Sequence, residues 1–124
     1  MNPYDIHIAY VSWVSIHSHS PNAPSAAAFL PLHSDGKRRP VLVLSSGQKE
    51  VAVFQITSQY DSKSAAIQSQ YISIDDLAQA GLERQSYIDI GRIVDLPISV
   101  VQPTPIGKLS TSDLQKLLQA MKSL

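Results

Sequence analysis

Apolar positions from Ile6 to Ile16 (Ile6, Ile8, Tyr10, Val11, Trp13, Val14, Ile16) alternate or run together and are mostly β-branched or aromatic, so they predict a first strand. From His17 to Gly36 the pattern collapses into serines, alanines and three prolines. That reads as a long, mobile first loop, over about residues 17–36, of a length that usually serves function. Two further apolar runs, Pro40 to Ser45 and Val51 to Thr57, flank Ser46-Gly47-Gln48-Lys49, the signature of a β-hairpin with a short glycine-containing turn. A polar loop from Ser58 to Ala66 leads to a further strand expected over Ile67 to Ile74. Asp75 to Gly81 then reads as a helical turn or two, carboxylates at its start and glycine at its stop.

Tyr87 to Asp95 resumes strand alternation, with Tyr87, Asp89, Gly91, Ile93 and Asp95 on one face and Ile88, Ile90, Arg92 and Val94 on the other. Gly91 marks a bulge or a close backbone approach within it. Pro97 ends that strand, Ile98 to Val101 suits one more short strand, and Pro103 and Pro105 close it. Ser110 to Asp113 caps a last helix in which Leu114, Leu117, Leu118, Met121 and Leu124 recur at helical spacing. The fold class that follows is mainly β with helices: a small, strongly curved antiparallel sheet with a C-terminal α-helix packed on it.

The 124 residues suit one domain with one core, taken here as 1–124. With 44% hydrophobic and 16% charged residues the chain is globular, and its low charge favours burying part of the surface against a partner. Ten basic and ten acidic residues cancel, so any nucleic-acid contact has to be local. The distribution supplies one. No Asp, Glu, Lys or Arg occurs from Ser12 to Ser34, and then Lys37, Arg38 and Arg39 arrive together before Pro40. Proline donates no hydrogen bond and belongs at a strand's first residues, so the triplet reads as a cationic loop at a sheet rim, a place for an anion.

The absence of cysteine excludes disulfides, thiolate zinc sites and cysteine nucleophiles, and is compatible with a reducing cytoplasm. No signal peptide opens the chain and no apolar run reaches spanning length, so a cytoplasmic protein without a membrane partner is expected. His17 and His19, two apart, project to the same side of an extended chain, and His33 follows in the same loop. They lack further ligands at metal spacing, so no metal and no cofactor are expected, and a loop histidine suits a general base better.

Arg39-Pro40 leading into a hydrophobic strand, followed by a strand that ends in Thr57-Ser58, resembles the MazF/PemK family of toxin endoribonucleases of type II toxin–antitoxin systems. Ala80 to Ile88, Gly91-Arg92-Ile93-Val94-Asp95, and Ile106 to Ser110 with Asp113-Leu114 resemble further family segments in the family's order. The likeness covers about Lys37 to the end. The first strand departs from it, since Tyr4-Asp5-Ile6-His7 stands where the family has glycine, an acidic residue and an aromatic.

The resemblance implies an SH3-like barrel, metal-independent cleavage of single-stranded RNA by its own 2′-hydroxyl, a homodimer, and neutralisation by a cognate antitoxin. It puts Arg39 and Thr57 at the two positions associated with cleavage. An arginine clamps two phosphate oxygens, and a threonine hydroxyl can hydrogen-bond beside it. The RNA-binding candidates are Lys37, Arg38, Ser58, Asp89, Arg92, His17 and His19. Tyr87 departs from an arginine that some members use, Asp89 keeps the carboxylate, and Arg92 suits an ion pair with Asp89 or Asp95 as well as a ligand. The rival readings are a non-catalytic barrel that poisons by protein contact, as a related gyrase poison does, a nucleic-acid-binding domain without cleavage, and a barrel in which Lys37 to Arg39 is only a polar loop.

Overall fold

A computed structural model describes residues 1–11 and 37–123; the expected long loop and the far half of the first strand lie outside the described residues. Six strands form one antiparallel sheet in the order β4-β5-β3-β2-β1-β6: β1 (Asp5–Val11), β2 (Lys37–Ser46), β3 (Glu50–Thr57), β4 (Tyr71–Ile74), β5 (Ser86–Pro97) and β6 (Gly107–Lys108). Among the described residues three α-helices accompany them, α1 (Ala65–Gln68), α2 (Leu77–Ala80) and α3 (Thr111–Lys122). The sheet curls into a half-barrel, and each face carries its own apolar cluster. Ala9, Val41, Val43, Val51, Val53, Val94, Leu96, Val100 and Val101 fill one. Ile6, Leu42, Phe54, Ile56, Ile74, Ile88, Ile90 and Leu117 fill the other, under α2 and α3. Alternation along β2 and β3 sends successive residues to opposite clusters, each fully buried aliphatic or aromatic side chain contributing about 1.5–3 kcal/mol.

The hairpin forms as its sequence predicts, Gly47 N–H donating to the Glu50 carbonyl at 2.8 Å across the turn. The basic triplet differs from expectation: it is strand, not loop. Lys37 to Pro40 pair with Val11 to Ile8 of β1, while pairing with β3 starts only at Val41 opposite Gln55. Val43 turns its carbonyl towards Tyr4 on the β1 side, so by alternation the Pro40 nitrogen faces the other way, where no ladder has begun. A proline inside this strand therefore breaks no bond of the sheet.

β5 contains the bulge that Gly91 predicts. Val53 pairs with Val94 and Gln55 with Asp89, so four residues of β5, Ile90 to Ile93, stand against Phe54 alone on β3. Ile88 and Ile90 therefore join one cluster while Val94 and Leu96 join the other, and the single alternation expected through Asp95 does not hold. Three other expectations are corrected. The strand over Ile67 to Ile74 is only Tyr71–Ile74, because Ser64 caps the short helix α1 ahead of it, its hydroxyl accepting from Ile67 N–H. Ile98 to Val100 form a 3₁₀ turn, with Val101 alone bridging to Ala9. In α3 Leu117 is buried, but Leu118 is 39% exposed and faces outward.

The ends of α2 are specified as the sequence suggests. Asp76 accepts the Gln79 N–H at 3.1 Å, and Gly81 at φ 75° takes the left-handed conformation that stops the helix. Among the described residues no helix is long and apolar enough to cross a membrane.

Candidate nucleic-acid cleft

Arg39 is the third residue of β2 and Thr57 ends β3, so both stand at the open end of the hairpin. Pairing of β2 with β3 stops at Val41 opposite Gln55, two residues short of Arg39 and Thr57, and both of these line one cleft beyond that last pair. An antiparallel hairpin carries both to one end, because the first residues of one strand lie beside the last of the next.

A cleft of about 1000 Å³ runs over this open end. Arg39, Gln55, Thr57 and Ser58 line it from the hairpin, Arg38 and Pro40 lie beside them, and Tyr71, Asp89 and Arg92 come from β4 and β5. The cations lining it are Arg38, Arg39, Lys63, Arg84 and Arg92, against the carboxylates Glu83 and Asp89. The chain as a whole has a formal net charge of zero, so the five cations against two carboxylates are a local concentration.

Lys63 and Arg84 carried no role in the sequence reading; turns deliver them. Lys63 N–H donates to the Tyr60 carbonyl at 3.1 Å, and the Tyr60 ring stacks on Tyr87 of β5 with centroids 4.4 Å apart. Gln68 Nε2 adds a bond to the same carbonyl at 2.8 Å, so the stretch between β3 and α1 is pinned to the sheet. Arg84 sits in the turn after α2, where Ser86 Oγ donates to its carbonyl at 2.9 Å and Gln85 Nε2 donates to the Ile74 carbonyl at 3.1 Å. Both anchors are tertiary, and local pattern does not reveal them.

At the centre, Thr57 Oγ1 accepts the Gln59 N–H at 3.0 Å. That bond occupies a lone pair and leaves the hydroxyl proton free to donate outward. The Arg39 guanidinium is half-sunk, its Nε buried without a hydrogen-bond partner among the described residues. An unpaired buried donor costs free energy unless a ligand oxygen meets it. Arg92 is exposed and makes no ion pair with Asp89 or Asp95; among the described residues the ion pairs are those of Lys116 with Asp75 and Asp113.

Lys37 continues β2 beside Arg38, opposite Val11. His17 and His19 lie outside the described residues. No cluster of three or more metal-ligating side chains occurs among the described residues.

A model of the family described as PemK-like, MazF-like toxin of type II toxin–antitoxin system matches residues 27–124. No curated protein matches the chain in sequence. Among solved structures, the Mycobacterium tuberculosis toxin MazF-mt6 is similar over 96% of this chain and 93% of that one, with a TM-score of 0.61 at 21% identity. A structure described as an Mtb toxin is similar over 68% of this chain and 90% of its own, with a TM-score of 0.54 at 23% identity. At these identities the likeness is one of fold. The family match begins beyond β1, in keeping with the divergent first strand.

Proposed function

The chain belongs to the PemK-like, MazF-like toxins of type II toxin–antitoxin systems, and from that premise we propose that it is an endoribonuclease that cuts single-stranded RNA without a metal. The observation that carries this reading is the cleft, where Arg38, Lys63, Arg84 and Arg92 gather with Arg39 and Thr57 in a chain of zero formal net charge. Single-stranded RNA brings one phosphate per nucleotide and splayed bases, and an open basic cleft suits both.

In the reaction a ribose 2′-hydroxyl gives up its proton to solvent as its oxygen attacks the adjacent phosphorus, the bond to the 5′-oxygen breaks, and that oxygen takes up a proton from solvent, so a 2′,3′-cyclic phosphate and a 5′-hydroxyl result. Negative charge grows on the non-bridging oxygens as the phosphorane forms. Arg39 meets that charge with its guanidinium, including the buried Nε, and Thr57 donates its hydroxyl proton to the same oxygens. Arg38, Lys63, Arg84 and Arg92 hold flanking phosphates and set the register of the strand.

The family reading also brings a cognate antitoxin, a homodimer and a cytoplasmic setting. An acidic antitoxin segment laid in the same cleft neutralises by competing for the same cations. The test is incubation of the purified protein with a long unstructured RNA in excess EDTA, beside Arg39→Ala. Cleavage that Arg39→Ala slows by about 10²–10³ is expected. Absence of cleavage, with equal growth arrest by both forms, overturns the nuclease in favour of a poison that acts by protein contact.

A further inference from the structure

Asp89 is a carboxylate in a cleft otherwise built for an anion. It stands at the middle of a cross-strand row, opposite Tyr71 on β4 and opposite Gln55 on β3, and all three side chains line the cleft. The next row carries Tyr87 opposite Thr57 and opposite Ser73, so the Asp89 row lies one strand repeat from the proposed cleavage residues. Asp89 Oδ1 accepts the Gly91 N–H at 3.0 Å, which fixes the carboxylate at the start of the bulge. Its second oxygen receives no hydrogen bond from a described residue, and no described cation pairs with it.

An ionised carboxylate only accepts hydrogen bonds. Of the four RNA bases, guanine alone presents two adjacent donors, N1–H and N2–H, on its Watson–Crick edge. Uracil flanks its one donor with acceptors, and adenine and cytosine set a ring-nitrogen lone pair beside their amino group. A carboxylate therefore takes guanine through two bonds and meets a repelling lone pair on each other base.

The neighbouring aromatic panel supplies the second half of a base site. Tyr60 and Tyr87 stack at 4.4 Å, and Tyr71 leans on both at 6.1 and 6.3 Å. Tyr71 is the member that reaches the cleft, with its ring held by the other two. Burial, and after it the charge of Asp89, push its phenol above the ordinary value, so the ring stays neutral and Asp89 remains the acceptor of the pair. The Gln55 amide, on the other side of Asp89, has a donor for guanine O6.

We propose that Tyr71, Asp89 and Gln55 form a base-reading subsite for guanine in single-stranded RNA, with Tyr71 stacking on the base and Asp89 reading its N1–H and N2–H. The proposal rests on the nuclease reading for its ligand class, and binding to uncleavable strands separates the two. 2′-Deoxy oligouridine hexamers carrying one guanine, inosine or adenine at each position in turn are titrated against the full chain. At one position guanine binds about tenfold or more tighter than adenine, and inosine, which lacks N2, falls between.

Asp89→Asn brings guanine and adenine together. Tyr71→Leu weakens both by a common factor and keeps their ratio. The wild-type series varies only the oligonucleotide, so a variant that folds poorly leaves the proposal testable. Equal affinity for all three bases at every position, in protein that still cuts RNA, overturns the subsite and leaves the nuclease standing. No binding and no cleavage overturn both.

Discussion

The buried carboxylate of Asp113 on α3 accepts the backbone N–H of Asp76 at 3.0 Å, and with it the N–H of Asp75 at 3.1 Å. These two donors open the segment into α2, where no intrahelical acceptor exists for them. Ser110 caps α3 by accepting the Asp113 N–H at 3.1 Å, and Lys116 stands 3.5 Å from the carboxylate while reaching Asp75 at 2.8 Å. The C-terminal helix is thus tied by one 1%-exposed side chain to the turn that leads towards Glu83 and Arg84 of the cleft.

Replacing Asp113 by alanine strands both backbone donors and leaves Lys116 without its buried partner. A loss of about 1.5–3 kcal/mol is expected, the range for hydrogen bonds to a charged group. Urea unfolding of Asp113→Ala beside wild type checks it. An unchanged midpoint, with an unchanged slope, would show that water replaces the carboxylate at no cost.

The same group makes stability depend on acid. Burial pushes the Asp113 carboxyl up, but the Asp76 and Asp75 N–H groups, Lys116 and Ser110 together outweigh it and hold the pKa below the ordinary carboxylate value. The folded state then binds fewer protons than the unfolded one, so its contribution is fully present above the unfolded pKa of about 3.9 and disappears as pH falls through the lower folded value. Urea midpoints from neutral pH downward should separate wild type from Asp113→Ala, and the gap should shrink only in that acid window.

Gly81 sits at φ 75°, and a Cβ there would stand 2.1 Å from the Ile106 carbonyl oxygen, a backbone atom with no rotamer to yield. Gly107 meets the return contact, its added Cβ 2.3 Å from the Ala80 carbonyl carbon. Gly81→Ala therefore combines left-handed strain with a backbone clash, and should cost more than about 2 kcal/mol. Thermal unfolding measures it.

Lys63 and Arg84 reach the cleft from two different turns, one after β3 and one before β5. If each neutralises a phosphate, each alanine substitution weakens binding of single-stranded RNA regardless of sequence. It also lowers the slope of log affinity against log salt by about 0.7. Titrations at several salt concentrations read this directly, and an unchanged slope removes the residue from the RNA path.

What the sequence made legible follows from where the information sits. Arg39-Pro40 and Thr57 are local signals, and the antiparallel hairpin carries both to one open end. Asp76 and Gly81 set the ends of α2 by rules that need only a few adjacent residues. Lys63 and Arg84 were invisible because their positions depend on Tyr60 finding Tyr87 and on Gln85 finding Ile74 across the chain. Asp113 was read as part of a helix cap, whereas its chief partners lie 37 and 38 residues away. The β5 faces were misread beyond Gly91 because a bulge resets alternation without leaving a period in the pattern.

Arg39 and Thr57 line the same cleft at the open end of the β2–β3 hairpin, and act on the same phosphoryl oxygens in the proposed reaction. Removing either therefore removes part of one interaction, so their effects should not add. Arg39→Ala is expected to lower the cleavage rate by about 10²–10³, the cost of losing one preorganised donor set. Arg39→Lys keeps the charge but loses the planar fork, and should recover little. Thr57→Ser retains the hydroxyl and the bond from Gln59 N–H, and should cleave, while Thr57→Val keeps the shape and should not. The double variant Arg39→Ala with Thr57→Val should be scarcely slower than the worse single one in single-turnover cleavage. Full additivity would mean that the two side chains serve separate steps.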